Sequence, residues 1–291
     1  MLNFTRFTPL HPLLATALMA FAAALTAWTP AAHATIGVWP DTFRARQMAV
    51  SGGTQYVRVG GQGPAVLLLH GFGDTGDMWV PLAKALIKDH TVIVPDLRGM
   101  GLSSHPEGGY EKTAQARDMA AILGELGIQE IALISHDICN MVGYAFAALY
   151  PLRVTKWVVM DASLPGIGHW DDQLKNPKVW HFNFRGPDVE RLVAGRERIL
   201  LDRFYNELSA NPTRIDEQTR DHYAHFMLAP ALSTTHSAGS SPHSPRMRST
   251  TKNYSPRASC RCRSWPLAVI IPMAPALRQK LPLSQPMCTA P

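Results

Sequence analysis

The run Ile131-Ala-Leu-Ile-Ser-His-Asp-Ile-Cys-Asn-Met-Val-Gly-Tyr-Ala-Phe-Ala147 constrains the fold more than any other part of the chain. An apolar stretch of strand character stops at Ser135. Asp137 follows after one residue, and an apolar helical stretch begins at once. Small residues stand two before Asp137 (Ser135) and two after it (Cys139). This spacing predicts a strand–turn–helix whose middle side chain is pushed out of a strained bend, while small neighbours let the helix close on the strand. A carboxylate at that apex can attack a saturated carbon, such as an epoxide or alkyl halide, and form an ester intermediate. Taken alone, the turn has a plainer alternative, an Asp that only caps the helix.

The surrounding sequence sets this turn in a repeating pattern. Gln47 to Val59 suggests two short strands around Gly52-Gly53, a hairpin signal. Ala65 to Leu69 reads as a buried strand running into His70-Gly-Phe-Gly73, Met78 to Ile87 as an amphipathic helix, and Thr91 to Val94 as a strand. Glu111 to Leu126 has helical spacing and ends at Gly127. A strand from Ile131 to Ile134, a helix from Ile138 to Tyr150 and a strand from Val154 to Met160 follow. Strands alternating with helices predict an α/β fold with a mostly parallel sheet covered on both faces. In such sheets chemistry gathers at the carboxyl ends of the strands, where His70, Asp96, Asp137 and Asp161 all fall.

Outside this core, three segments read differently. Residues 1–34 resemble a secretory signal: Arg6 supplies positive charge, Leu13 to Ala27 is apolar, and Ala32-His-Ala34 suits cleavage after Ala34. The apolar run is shorter than the roughly 20 residues needed to span a bilayer, so export without stable membrane insertion is expected, with a retained anchor as the alternative. Residues 35–163 form the core, and residues 164–229, rich in aromatics and helical from Asp188 to Leu208, form a helical lid. Residues 230–291 break the pattern. Every Asp and Glu of the chain lies at or before Asp221, whereas residues 222–291 carry six Arg and two Lys. The formal charge of +6 therefore belongs to the tail. Pro and Ser supply about a third of its residues, and Ala268 to Ile271 is a strand fragment between prolines. The preferred reading is a reading-frame shift near residues 226 to 232, which leaves C-terminal strands missing or replaced by an irregular tail. A natural basic tail that stays unfolded, or binds anionic membrane or nucleic acid, is the alternative. Only Cys139 precedes residue 260, so no disulfide framework is indicated. No cofactor motif or metal-ligand set is read, nor is nucleic-acid binding expected of the core, and the oligomeric state is not legible.

Four motifs in this order, His70-Gly-Phe-Gly73, Asp96-Leu-Arg-Gly-Met-Gly-Leu-Ser103, the turn at Asp137 and Val158-Val-Met-Asp161, resemble the α/β-hydrolase fold family over about residues 45 to 226. The resemblance is to the branch holding epoxide hydrolases and the haloalkane and haloacetate dehalogenases. It implies that Asp137 is the nucleophile and that the N–H groups of Phe72 and Ile138 form the oxyanion hole. It also implies that Asp161 orients a catalytic histidine, with a helix cap or turn residue as the plainer reading. His70 would brace the oxyanion loop, Asp96 and Arg98 would hold their loop by a salt bridge, and His136 would pack beside the turn.

Departures from the family narrow the expectation. Haloacetate dehalogenases carry arginines one and four residues after the nucleophile; here those positions hold Ile138 and Met141, which disfavours a haloacid. Ile138 also replaces the Trp that helps hold halide in haloalkane dehalogenases. A neutral, apolar small molecule remains as the expected substrate, an epoxide first, with a lid donor to the epoxide oxygen from His181, Tyr205 or Tyr223. A haloalkane dehalogenase or esterase-like hydrolase is the alternative. The family's water-activating histidine sits near the carboxyl end of the last strand, in a Gly-His-aromatic context that the tail of this chain lacks; its two histidines, His236 and His243, stand among Ser, Thr, Gly and Pro. The chain as written is thus either inactive in hydrolysis, or a pocket that binds without turnover.

Overall fold

The computed structural model describes residues 36–161, 164–165, 170–183, 187–227 and 268–272. The signal segment, the proposed frame shift past Met227, His236 and His243 lie outside the described residues.

Strand β1 (Arg44–Val50) pairs antiparallel with β2 (Gly53–Gly60), and Gly52 turns the hairpin at φ 81, a conformation that glycine adopts without steric cost. Strands β3 (Ala65–Leu69), β4 (Thr91–Pro95), β5 (Ile131–His136) and β6 (Val154–Met160) pair parallel with one another. Ala268–Pro272 forms β7, antiparallel beside β6. The sheet order is β1-β2-β4-β3-β5-β6-β7. The fragment within the expected irregular tail is thus a strand, and Pro272 ends it, since a proline cannot donate to a ladder.

The central strands are apolar on both faces. Leu67, Leu69, Ile93, Ile131 and Leu133 join one buried cluster, while Val66, Leu68, Val92 and Val94 join another. Successive residues of a strand point to opposite faces, so each strand supplies two cores. Helices α2 (Lys112–Glu125) and α3 (Cys139–Leu149) cover the first face through Met119, Ile122, Leu123, Val142 and Phe146. A 3-10 turn (Gly76–Trp79) leading into α1 (Val80–Leu86) covers the second through Trp79 and Ala83. The α/β class read from the sequence is the observed one.

The segment expected to form the lid is helical: α4 (Trp170–Lys175), a 3-10 segment (Pro177–Asn183), α5 (Pro187–Val193), α6 (Glu197–Leu208) and α7 (Glu217–Phe226). The helical stretch read from Asp188 to Leu208 forms as two helices. Gly195 takes a left-handed φ of 73 and ends α5, the usual way a glycine stops a helix. The break lets Val189, Val193, Leu200, Leu201, Tyr223 and Met227 bury one cluster against Phe72 and Met78. Among the described residues no helix is long and apolar enough to cross a membrane.

Candidate active site

Two non-glycine residues among those described have positive φ, Asp137 (52) and Asp161 (57). Both are carboxylates at the carboxyl ends of neighbouring parallel strands. Left-handed backbone costs a non-glycine residue about 1–3 kcal/mol and persists only where surrounding structure enforces it. At Asp137 that structure is visible. Its N–H donates to Met160 O at 3.1 Å, and its own carbonyl accepts from Asn140 N–H at 2.9 Å. Beneath it, Trp157 Nε1–H donates to Ser135 Oγ (2.9 Å), Ser135 Oγ–H donates to Asn140 Oδ1 (2.7 Å), and Asn140 Nδ2–H donates to Met160 O (2.8 Å). Gly143 lets α3 approach, because a Cβ there would lie 3.1 Å from Trp157 Nε1 and 3.2 Å from Ser135 Oγ. Ser135 is therefore more than a small residue. Ser135→Ala leaves the buried Trp157 indole without its acceptor and is expected to cost about 1–3 kcal/mol, read as a lower Tm at unchanged secondary structure.

The Asp137 side chain is half-buried, and its Oδ1 accepts from Phe72 N–H at 3.0 Å. Ile138 stands at the N-terminal edge of α3, where N–H groups have no partner within the helix. The loop carrying Phe72 is braced by His70, which is fully buried. Its Nε2 accepts from Leu97 N–H at 2.9 Å, which leaves the proton on Nδ1 to reach Gly71 O at 2.9 Å. Burial lowers this imidazole's pKa, with Asp96 opposing.

Asp96 and Arg98 hold their loop, though not by pairing with each other. Asp96 Oδ1 accepts from Arg58 Nη1 (2.9 Å) and Gly76 N–H (2.8 Å), and Oδ2 accepts from Leu102 N–H (3.0 Å). Arg98 instead grips Asp118 of α2 with two hydrogen bonds, Nε to Oδ2 at 2.9 Å and Nη2 to Oδ1 at 2.8 Å. Arg58 and Asp118 carry no local motif that marks them as partners, and only the packed fold reveals the pairing.

His136 does more than pack beside the turn. Its Nε2 lies 3.8 Å from Asp161 Oδ2 and its Nδ1 lies 3.9 Å from Asp74 Oδ2. Burial alone would lower its pKa, but Asp161, Asp74 and Asp137 together raise it. Asp74, one residue past the His70–Gly73 motif, is a carboxylate beside His136 that sequence reasoning overlooks. Burial pushes its pKa up to about 6, with the charge of His136 opposing and that of Asp137 adding. Lys112, at the start of α2, is a second such group. Burial brings it down to about 8, against the pull of Cys139 and Asp137.

In the lid, His181 and Tyr223 are buried and Tyr205 is half-buried. Phe72 packs on Phe204 with ring centroids 5.6 Å apart, and Phe204 meets the edge of His181 at 4.7 Å. An aromatic line thus runs from the Phe72 loop through Phe204 to His181. Burial brings His181 down to about 4 although Asp137 opposes it, so the imidazole is neutral at physiological pH. Burial raises both tyrosines, and the charge of Asp74 adds in each case; both hydroxyls therefore keep their protons. The buried Tyr205 hydroxyl has no hydrogen-bond partner among the described residues.

The family model described as alpha/beta hydrolase fold matches residues 64–223. The chain belongs to that family. A soluble epoxide hydrolase of Corynebacterium sp. (strain C12) is 30% identical over 171 residues, covering 57% of this chain and 59% of the relative. A fluoroacetate dehalogenase of Burkholderia sp is 34% identical over 151 residues, covering 50% and 49%. The chain thus spans about half to three-fifths of the length of these curated relatives. The crystal structure of Cfl2 from Burkholderia cenocepacia superposes with a TM-score of 0.64 at 28% identity, covering 72% of this chain and 76% of that one.

Within this hydrolase fold, Ile138 and Met141 are buried apolar groups, so no cation stands at either position after Asp137. The lid is tied to the core by His222 of α7, whose Nε2 meets Asp77 Oδ2 at 2.9 Å. Asp77 also accepts from Trp39 Nε1 (2.7 Å) and pairs with Arg58 (2.9 Å). Burial would raise the Asp77 carboxyl, but Arg58, Trp39 and His222 hold it below the ordinary range. His222→Ala removes a charge-assisted hydrogen bond, worth about 1.5–3 kcal/mol, and is expected to speed amide exchange along α7 by roughly tenfold or more.

Proposed function

We propose that this chain is a hydrolase of neutral, apolar small molecules, an epoxide first, which works through an alkyl ester on Asp137. One observation carries the reading: a carboxylate is held at a left-handed bend with one oxygen tied to the Phe72 N–H. That tie leaves Oδ2 to attack, and it puts a donor on the oxygen that becomes the ester carbonyl and bears charge when the ester is hydrolysed. Such donors are worth about 3–4 kcal/mol.

The relatives' names support the choice of reaction, since one is an epoxide hydrolase and another a dehalogenase. The apolar Ile138 and Met141 favour the epoxide over a carboxylate-bearing haloacid. As Oδ2 forms its bond to the less hindered carbon, the C–O bond of the ring breaks and the oxygen takes a proton. Tyr205 or Tyr223 supplies that proton, because both hydroxyls stay protonated. The neutral His181 donates an N–H hydrogen bond at most. Export, with cleavage after Ala34, belongs to the same proposal.

The test is peptide mass spectrometry of the full chain after incubation with an aryl epoxide. One added epoxide mass on the peptide containing Asp137 is the expected result. Modification elsewhere, or none, overturns the reading.

A further inference from the structure

Ester formation is half of a hydrolytic cycle, and the second half needs a base that draws a proton from water. Beyond Met227, where the family places the histidine for that step, the sequence has no Gly-His-aromatic motif. The structure offers another group in the right place. Asp74 lies two residues beyond Phe72, whose N–H holds Asp137; its carboxyl meets His136, feels the charge of Asp137 and acts electrostatically on Tyr205 and Tyr223. Behind it stands the His136 ring, pressed against the loop so closely that a Cβ on Gly71 would meet Nδ1 at 2.5 Å and Asp137 Cβ at 3.1 Å. The far nitrogen of that ring meets Asp161. Exposure rises along the series: the side chains of Asp74, His136 and Asp161 are 19%, 23% and 61% exposed.

Resting on the reading of Asp137 as the nucleophile, we propose that Asp74 is the base that activates water against the Asp137 ester, and that His136 and Asp161 carry the proton outward to solvent. In the step, the water oxygen bonds to Cγ of Asp137 while one of its protons passes to Asp74. The tetrahedral centre collapses, the bond from Cγ to Oδ2 breaks, and the product alkoxide leaves as an alcohol with the second water proton. Asp137 is thereby a carboxylate again. The proton on Asp74 passes to Nδ1 of the neutral His136 ring as Nε2 releases one to Asp161 and so to solvent, and exchange with solvent then returns the ring proton from Nδ1 to Nε2. Solvent returns one proton to the tyrosine that protonated the ring oxygen, which balances the cycle. The separations of 3.8 and 3.9 Å are ion-pair contacts; catalytic hydrogen bonds are often long without substrate and tighten in the complex. Asp74 is the catalytic residue here, and His136 and Asp161 are positioning residues that act through it.

Two further features fit this assignment. The Asp161 backbone is held left-handed, as expected where geometry serves a function. The Asp74 carboxyl, up to about 6, is matched to abstracting a proton near neutral pH, since the best base titrates close to the working pH. Turnover is then expected to fall as the pH drops through about 6, because the protonated carboxyl cannot accept.

The experiment uses the full chain, an aryl epoxide, the adduct mass on the Asp137 peptide, and diol release across pH. In Asp74→Asn the adduct is expected to form and accumulate while diol release slows by about 100-fold or more, with the acid limb near 6 abolished. Asp74→Glu is expected to restore part of the rate and an acid limb. Asp161→Asn keeps the adduct and shifts that limb. An Asp74→Asn adduct discharged at the unaltered chain's rate and pH profile overturns the relay alone. An adduct on the unaltered chain that never discharges overturns it too, and identifies a pocket that binds without turnover. No adduct on the unaltered chain overturns the nucleophile reading, and the relay with it.

Discussion

Asp137→Asn is expected to end covalent capture of an epoxide and to lower diol release by about 10⁴-fold or more, the scale seen when one member of a catalytic unit is removed. The change is close to silent for the fold. Asn keeps an oxygen to accept from Phe72 N–H, and among non-glycine residues it tolerates left-handed φ as readily as Asp does. Its amide oxygen is a far weaker nucleophile than a carboxylate, so the loss is one of chemistry. Intact-mass analysis and a melting curve together decide the matter: a stable variant without adduct supports the assignment, and an Asp137→Asn variant that still takes up the label removes it.

The second large effect is structural and lies away from the strand ends. Arg98→Met strips both hydrogen bonds from Asp118, which is 1% exposed and, among the described residues, keeps only Gln55 as donor, at 3.0 Å. A buried carboxylate left without its cation costs about 3–5 kcal/mol. For a domain of this size that lowers Tm by about 10 °C. Burial already raises the Asp118 pKa against the pull of Arg98, so the variant folds by protonating it, and its stability declines as pH rises. The double variant Arg98→Met with Asp118→Leu is expected to recover most of the loss. Failure to recover would mean that Arg98 acts chiefly through the Ser51 and Gly108 carbonyls it also reaches.

Asp74 is expected to mark a trade between stability and activity. A carboxyl whose folded pKa exceeds its unfolded value favours the fold below the unfolded value, and that advantage is lost as pH rises through about 6. Asp74→Asn, which carries no charge to desolvate, should therefore melt higher at neutral pH while turning over more slowly.

The α/β alternation is legible in the sequence because each buried parallel strand is a short apolar run and each covering helix has a 3.6-residue period. The bend at Asp137 is legible because small residues flank it at fixed offsets. What sequence leaves dark is contact between distant positions. The series Asp74, His136 and Asp161 joins a loop and two strand ends, and no spacing rule links positions so far apart in the chain. Arg98 with Asp118, and Asp77 with His222, are dark for the same reason: a helix face or a lid helix brings the partner. The break at Gly195 has a local signal, outweighed by the helical character on either side. The apolar run Ala268 to Ile271 lies between prolines, long enough to suggest a strand but too short to reveal where it pairs.

The hydrogen bond from Phe72 to one carboxylate oxygen of Asp137 makes the two oxygens of that side chain inequivalent. Under the proposed mechanism Oδ1 stays with the protein throughout, whereas Oδ2 is the atom handed to the product and an oxygen from solvent replaces it. In water enriched in ¹⁸O, the alcohol released by a single turnover is therefore expected to be isotopically light, and the heavy atom should be found in Asp137. Only from the second cycle onward does the label reach the diol.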